Sequence, residues 1–320
     1  MRRISIIALA LAMASAAAPR AFADGETIAV LTKNQTNPFF QAERIGAAMA
    51  AAELHAKVLQ YVPTQPDSIP EQMSQIDDVV TKKPDAIVMV PVDYKAMVAG
   101  VQKINDAKIP VVNVTDRSAG GNFVAFVGAD DYSIAKATGE ALLKAIGGKG
   151  DVIIIEGVRG AATAQDRLRG FKDAIAEFPG VKLVDSQPGN YQRLQAMQVM
   201  ENLLQSNPSV AGVMAANDAM AIGAMDALAD ASSKAQVVGI NGTKEAVDAI
   251  KAGKMLATGD YNGFVQGCIG TAIAIRYLRH EPVPKKVTQP PVVVTRANVG
   301  PYDVPVDQRK CPAWDQIPQN

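Results

Sequence analysis

At 320 residues with 48% hydrophobic side chains, the chain can hold one large domain or two moderate ones, each with a buried core. Lys plus Arg and Asp plus Glu balance at 32 each, which gives no ground for a nucleic-acid or acidic-surface partner. The two histidines, His55 and His280, and the two cysteines are scattered, so neither a metal site nor a cofactor is expected.

The N-terminus bears on compartment. Met1-Arg2-Arg3 is a charged start, Ile4 to Ala18 is an apolar, alanine-rich run without acids, and Ala21-Phe22-Ala23 is a small-x-small cleavage pattern. Together they predict a secretory signal peptide over 1–23, cut after Ala23, and a soluble exported product, most simply in a bacterial periplasm. The run is too short for a comfortable membrane span, and no cysteine at the cut invites a lipid anchor. Losing Arg2, Arg3 and Arg20 and no acid, the mature chain carries a small negative charge.

The first element is the one that later elements echo. Thr27 to Leu31 is an apolar strand, the chain then turns polar, and Asn37-Pro38 opens a helix running to about Leu54. Pro38 suits the first helical position and Asn37 the N-cap. Phe39 and Phe40 would then stand at the C-terminal edge of a parallel sheet, where open α/β folds take ligands; two core phenylalanines on a first helix is the plainer alternative. Further strands are predicted at 57–62, 86–90, 111–114 and 123–127, and a second set at 152–156, 182–186, 210–215, 236–240 and 256–259. Helical patterns cover 67–81, 94–107, 133–146, 161–177, 191–205 and 219–231. Near-continuous apolar strands such as V-I-I-I-E alternate with these helices, as a parallel sheet covered on both faces requires.

The alternation occurs twice. Ile87 to Met97 and Ala211 to Met220 both run from an apolar strand through a turn carrying Asp93 or Asp218 into a helix with an Ala-Met pair. Two α/β lobes with facing C-terminal strand edges would leave a cleft, and polar clusters gather at those edges. They are Thr115-Asp116-Arg117-Ser118, Gly157 to Gly160 with Asp166 and Arg167 beyond, Asn217-Asp218, Asn241-Gly242-Thr243, and Gly259-Asp260-Tyr261-Asn262. One such cluster is most simply a turn; five at the same strand end suggest a site. They offer Asn37, Asn217 and Asn241 as amides, Asp116 and Asp260 as acceptors, and Arg117 and Arg167 as planar forks that can bridge vicinal hydroxyls. Phe39, Phe40 and Tyr261 add flat faces for the C–H side of a sugar. Two acids against two arginines suit an uncharged ligand, although Asp116 and the adjacent Arg117 could instead satisfy each other.

Cys268 falls in a predicted helix and Cys311 in the C-terminal tail. An exported chain with two thiols favours a bridge that would pin the tail, with two buried free thiols as the alternative.

N-P-F-F (37–40), T-D-R (115–117), D-R-L-R-G-F (166–171), A-N-D-A-M-A-I-G-A (216–224) and V-G-I-N-G-T (238–243) occur in order over nearly all of the mature chain. As a set they resemble the periplasmic sugar-binding proteins of ABC importers, in the ribose-binding-like family of type I periplasmic binding proteins. The resemblance implies two Rossmann-like lobes with parallel sheets, joined by a three-strand hinge and closing on one ligand. It places Asn37, Phe39, Phe40, Asp116, Arg117, Arg167, Asn217 and Asn241 in the cleft, and it makes a monomer with two partners: a small neutral monosaccharide or polyol and a permease of the inner membrane. The lobes would span 24–128 plus 260–288, and 129–259 plus 289–320 with the tail. The chain departs from the family's pentose binders at Val90, where they carry Asn, at Ile240-Asn241, where they carry Phe-Asp, and at Asp260-Tyr261, near their Gln. The tail beyond Val294 is also longer. Ribose is therefore not the expected ligand, and a short polyol or another small monosaccharide fits better.

Other functions find less support. An enzyme would need a nucleophile elbow, and no G-x-S-x-G occurs. Gly147-Gly148-Lys149-Gly150 lacks the P-loop pattern, so transport energy would come from a partner ATPase. A sensor presenting its ligand to a receptor would use the same closed lobes. A repressor of this fold would need a DNA-binding headpiece.

Overall fold

The computed structural model describes residues 25–317; the segment read as a signal peptide lies outside the described residues. Among these residues two six-stranded sheets share one strand order. The first contains β1 (Thr27–Leu31), β2 (Lys57–Tyr61), β3 (Ala86–Met89), β4 (Val111–Val114), β5 (Phe126–Ala129) and β11 (Lys286–Gln289), in the order β11-β5-β4-β3-β1-β2. The second contains β6 (Lys149–Glu156), β7 (Gly180–Pro188), β8 (Gly212–Ala215), β9 (Gln236–Ile240), β10 (Ala257–Asp260) and β12 (Val292–Thr295), in the order β12-β10-β9-β8-β6-β7. All neighbours are parallel except β10 and β12. The central strands β3, β4 and β8 are buried along their whole length, which is why β3 and β8 read as unbroken apolar runs; the one polar residue of β4, Asn113, donates to the Met89 and Asp116 carbonyls.

Each sheet reverses direction of growth once, between β1 and β3 in the first and between β6 and β8 in the second. At such a reversal the flanking connections leave on opposite faces and open a crevice at the C-terminal strand ends. The crevice of the first lobe is roofed by α1 (Pro38–Glu53) and that of the second by α5 (Ala162–Ala176) and α7 (Asp218–Asp230). The chain passes between lobes after β5, after β10 and between β11 and β12.

Local chemistry starts the helices where the crevice needs them. Asn37 Oδ1 accepts the Phe39 N–H at 3.0 Å with Pro38 in the first turn, and Asn217 Oδ1 accepts the Met220 N–H at 2.9 Å. α1 packs on α9 (Gly263–Leu278) at backbone contact: a Cβ on Gly46 would lie 2.0 Å from the Phe264 carbonyl oxygen, and one on Gly267 2.0 Å from that of Glu43. The helix predicted from Tyr94 begins instead with α3 (Val98–Asp106), because Asp93 Oδ1 captures the Lys95 and Ala96 N–H groups in a turn. Neither β11, which pairs with β5, nor β12, which pairs with β10, was predicted as strand; β11 is four residues long with Val287 as its one apolar side chain.

The tail touches both lobes. Cys311 is disulfide-bonded to Cys268 of α9, with Cα atoms 5.6 Å apart. Trp314 stacks under the Arg276 guanidinium at 4.4 Å, while Asp303 pairs with Lys244 at 3.2 Å and with Lys251, both on α8 (Lys244–Lys251) of the second lobe.

Candidate functional site

The two crevices face each other and the lobes are shut. Thr163 N–H of the second lobe donates to Asp116 Oδ1 of the first at 3.1 Å, and Tyr94 N–H donates to the Gly160 carbonyl at 2.8 Å. Between them is a small cavity of about 20 Å³ lined by Lys33, Asn37, Phe39, Phe40, Thr115, Asp116, Thr163, Arg167, Tyr191, Asn217, Asn241 and Tyr261. Eight residues singled out from the sequence thus meet at one point: Asn37, Phe39, Phe40, Asp116, Arg167, Asn217, Asn241 and Tyr261. A wider hollow of about 420 Å³ lies further out against α8 and the tail and shares Phe39 and Asn241 with the inner one, but the buried charges converge only on the inner one.

Two further residues singled out from the sequence do not line this cavity. Arg117 is half exposed at the rim and pairs with Asp166 of the second lobe rather than with its neighbour Asp116. Asp260 turns away toward the tail, where Tyr302 hydrogen-bonds it; burial lifts its carboxyl to about 6. Of the adjacent pairs Asp116-Arg117 and Asp260-Tyr261, one side chain enters the cavity and its neighbour leaves it.

Charge in the floor is arranged in pairs. Lys33 Nζ lies 2.5 Å from Asp116 Oδ2 and 3.4 Å from Asp67 Oδ1, with the lysine and Asp116 almost wholly buried. Burial works against the ammonium, but the two carboxylates outweigh it and raise its pKa; the same lysine holds Asp116 below the usual carboxylate range against burial. Across the cleft, Arg167 Nε donates to Asp131 Oδ1 at 2.8 Å, and its Nη1 donates to the Ala216 carbonyl at 2.7 Å and to Asn241 Oδ1 at 3.3 Å. Its guanidinium lies 4.4 Å from the Tyr261 ring centroid, and the Tyr261 hydroxyl donates to Asp131 Oδ2 at 2.9 Å and to the Thr115 carbonyl at 3.2 Å. Burial raises Asp131 to about 6 in spite of Arg167.

The aromatic wall is built of Phe39 and Phe40, edge to face with centroids 5.1 Å apart, and Tyr261, tilted on Phe39 at 5.6 Å. Thr115, Tyr191 and Asn241 hold positive φ values of 62°, 59° and 142°. Left-handed or related conformations are costly for side chains of these types and persist where surrounding structure enforces them, commonly at ligand clamps.

Lys33, Thr163 and Tyr191 escaped the sequence reading. Lys33 was visible, since it lies two residues past β1 in the stretch leading to Asn37. Tyr191 follows β7, an edge strand, behind Pro188-Gly189-Asn190, and nothing local marks it as inward-facing.

A family model described as a periplasmic binding protein domain matches residues 28–282. The chain is 32% identical over 283 residues to the ribose import binding protein RbsB of Haemophilus influenzae, covering 88% of this chain and 94% of that one. Among solved structures, an ABC transporter periplasmic solute binding protein from Actinobacillus succinogenes with bound D-allose aligns with a TM-score of 0.82 and 33% identity, over 87% of this chain and all of the other. An ABC transporter solute binding protein from Bacillus halodurans with bound myo-inositol aligns with a TM-score of 0.81 and 27% identity, over 88% and 99%.

Proposed function

The chain belongs to the periplasmic binding protein domain family, and from that premise we propose that it is the solute-binding component of an ABC importer, taking a small uncharged sugar or sugar alcohol between its lobes. The carrying observation is the floor of the cleft, where both lobes supply aromatic faces and buried hydrogen-bonding groups, and where each cation is held by acids of the protein, Lys33 by Asp116 and Asp67 and Arg167 by Asp131. Such a surface solvates hydroxyls and leaves neither of its cations unpaired for an anionic ligand. The ligand would touch Asn37, Phe39, Phe40, Asp116, Arg167, Asn217, Asn241 and Tyr261. The moving bodies would be 24–128 plus 260–288 and 129–259 plus 289–320, hinged at the three crossings. Export would follow cleavage after Ala23, and the closed monomer would dock on its permease without chemical change to the ligand. Ligand favours the closed form only through contacts it makes better there, and contacts to both lobes have that property.

The test is a thermal-shift screen of the mature protein against pentoses, hexoses, sugar alcohols, amino acids and inorganic anions. A neutral carbohydrate should raise Tm with the logarithm of its concentration, and scattering should show the protein compacting with that compound. Stabilisation by amino acids or anions alone would overturn the assignment.

A further inference from the structure

Phe40 of the first lobe and Tyr191 of the second approach the cavity from opposite sides. A carbohydrate ring would be expected to lie between two such faces, its C–H groups against the rings. That space already holds a group of the protein: Lys33 Nζ lies 5.9 Å from the Phe40 centroid and 5.7 Å from the Tyr191 centroid. Both distances are within cation–π range.

The ammonium is not free to leave. It is clasped by Asp116 and Asp67, and the lysine and both acids are buried. Swinging it out would separate a cation from two carboxylates in a dry interior, the arrangement whose disruption is most costly. With the lysine in place and the lobes shut, the residual cavity is about 20 Å³, so any ligand must part the lobes to enter, and a narrow chain parts them less than a ring.

We propose that Lys33 sets ligand shape, and that the cleft is built for a short open-chain polyol rather than a pyranose or furanose ring. The inference rests on the carbohydrate reading above and narrows it. An open chain is one carbon wide and can thread past the ammonium, whereas a ring needs the full face between Phe40 and Tyr191. The ammonium has three donors, and although it is ion-paired with Asp116 and Asp67, its Nζ is buried without a well-aligned hydrogen-bond acceptor. A donor is thus available to a hydroxyl oxygen of the chain, with the Asn37 amide of the same lobe beside it, while Arg167 and Asn217 of the other lobe meet further hydroxyls.

Calorimetric titration of the mature protein with glycerol, erythritol, ribitol, D-ribose, D-allose and myo-inositol tests this. Ribitol and D-ribose are the informative pair, since they carry the same carbons as chain and ring. The wild type should bind one of the open-chain polyols at least about ten-fold more tightly than any ring, and Lys33→Ser should reverse the order by removing the occupant of the slot. A wild type that prefers a ring, or a Lys33→Ser protein that keeps the wild-type ranking, overturns the proposal and leaves the carbohydrate reading intact. Binding to none of the six, with an amino acid or anion as the only ligand, overturns that reading and this inference together. Should Lys33→Ser fail to fold because two carboxylates are left without a cation, Lys33→Ser with Asp67→Asn relieves the excess charge, and the wild-type ranking of ribitol over D-ribose still decides.

Discussion

The floor of the cleft and its rim each hold an arginine–aspartate pair, and the two differ in everything but residue type. Arg167 and Asp131 are 4% and 6% exposed, and the guanidinium is also bonded to a backbone carbonyl and stacked on Tyr261. Arg117 is 49% exposed and joins Asp166 across the mouth, where Arg169 also reaches Asp166 at 3.0 Å. Solvent screens the outer pair and supplies a substitute when it breaks; it does neither for the inner one. An exposed pair contributes about 0–1 kcal/mol, while breaking a buried one by removing a single partner costs about 3–5 kcal/mol, because the survivor is left charged and dry. The floor is therefore rigid and selective. The rim is adjustable, and it alone can open without stranding a charge.

Removing Arg167 should have the largest effect. Arg167→Ala strands Asp131, frees Tyr261 from its stacked partner and deletes the donor fork of the second lobe. Stability should fall by about 3–5 kcal/mol in chemical denaturation, with ligand binding lost. Arg167→Ala with Asp131→Asn sharpens the comparison: it should recover most of the stability, having no orphaned carboxylate, and none of the binding. Recovery of both would show that the arginine serves the fold alone.

How the sequence failed to distinguish these two arginines shows where its information stops. Both follow polar clusters at strand ends, and both looked like forks aimed at a ligand. The alternation of strands and helices, the repeated lobe and the convergence of Asn37, Phe39, Phe40, Asn217 and Asn241 are legible because apolar runs, Asn-Pro caps and turn residues act over a few positions. The direction of Arg117 is set by Asp166, 49 residues away on the other lobe, and that of Asp260 by Tyr302 in the tail. Tyr191 reaches the cavity only because β7 lies beside β6 and turns over it. Partner choice across the lobes is a tertiary property, and local pattern has no access to it.

The floor also contains an acid without a cation of its own, and pH should expose it. Glu43 is buried behind Thr115, whose hydroxyl is 3.4 Å from its Oε2 but donates at 2.8 Å to Gln266 Oε1. Burial lifts the Glu43 carboxyl from 4.5 to about 8, with Thr115 and Arg44 opposing the rise. A folded pKa above the unfolded one means the native state binds more protons across that window. Stability from this group is complete below pH 4.5 and is lost as pH rises toward 8, by up to about 1.4 kcal/mol per unit. Glu43→Gln should flatten that decline and be more stable than wild type at pH 8, measured by denaturant titration at a series of pH values. Parallel slopes for the two proteins would mean that Glu43 is charged in the fold and has found a partner.

The smallest expected effect lies at the rim, and it separates the two arginines most directly. Arg117→Ala removes a contact that exists only with the lobes shut, since Arg117 belongs to the first lobe and Asp166 to the second. It should weaken ligand binding through closure rather than through lost ligand contact, by less than about 1 kcal/mol, or roughly five-fold. Because the pair is solvated, the difference from wild type should shrink at 1 M salt, where the screening length is about 3 Å. The loss at Arg167 should persist under the same conditions, because ions do not enter the floor. Abolition of binding by Arg117→Ala, unrelieved by salt, would mean that this guanidinium leaves Asp166 and grips the ligand, and the distinction between floor and rim would then fail.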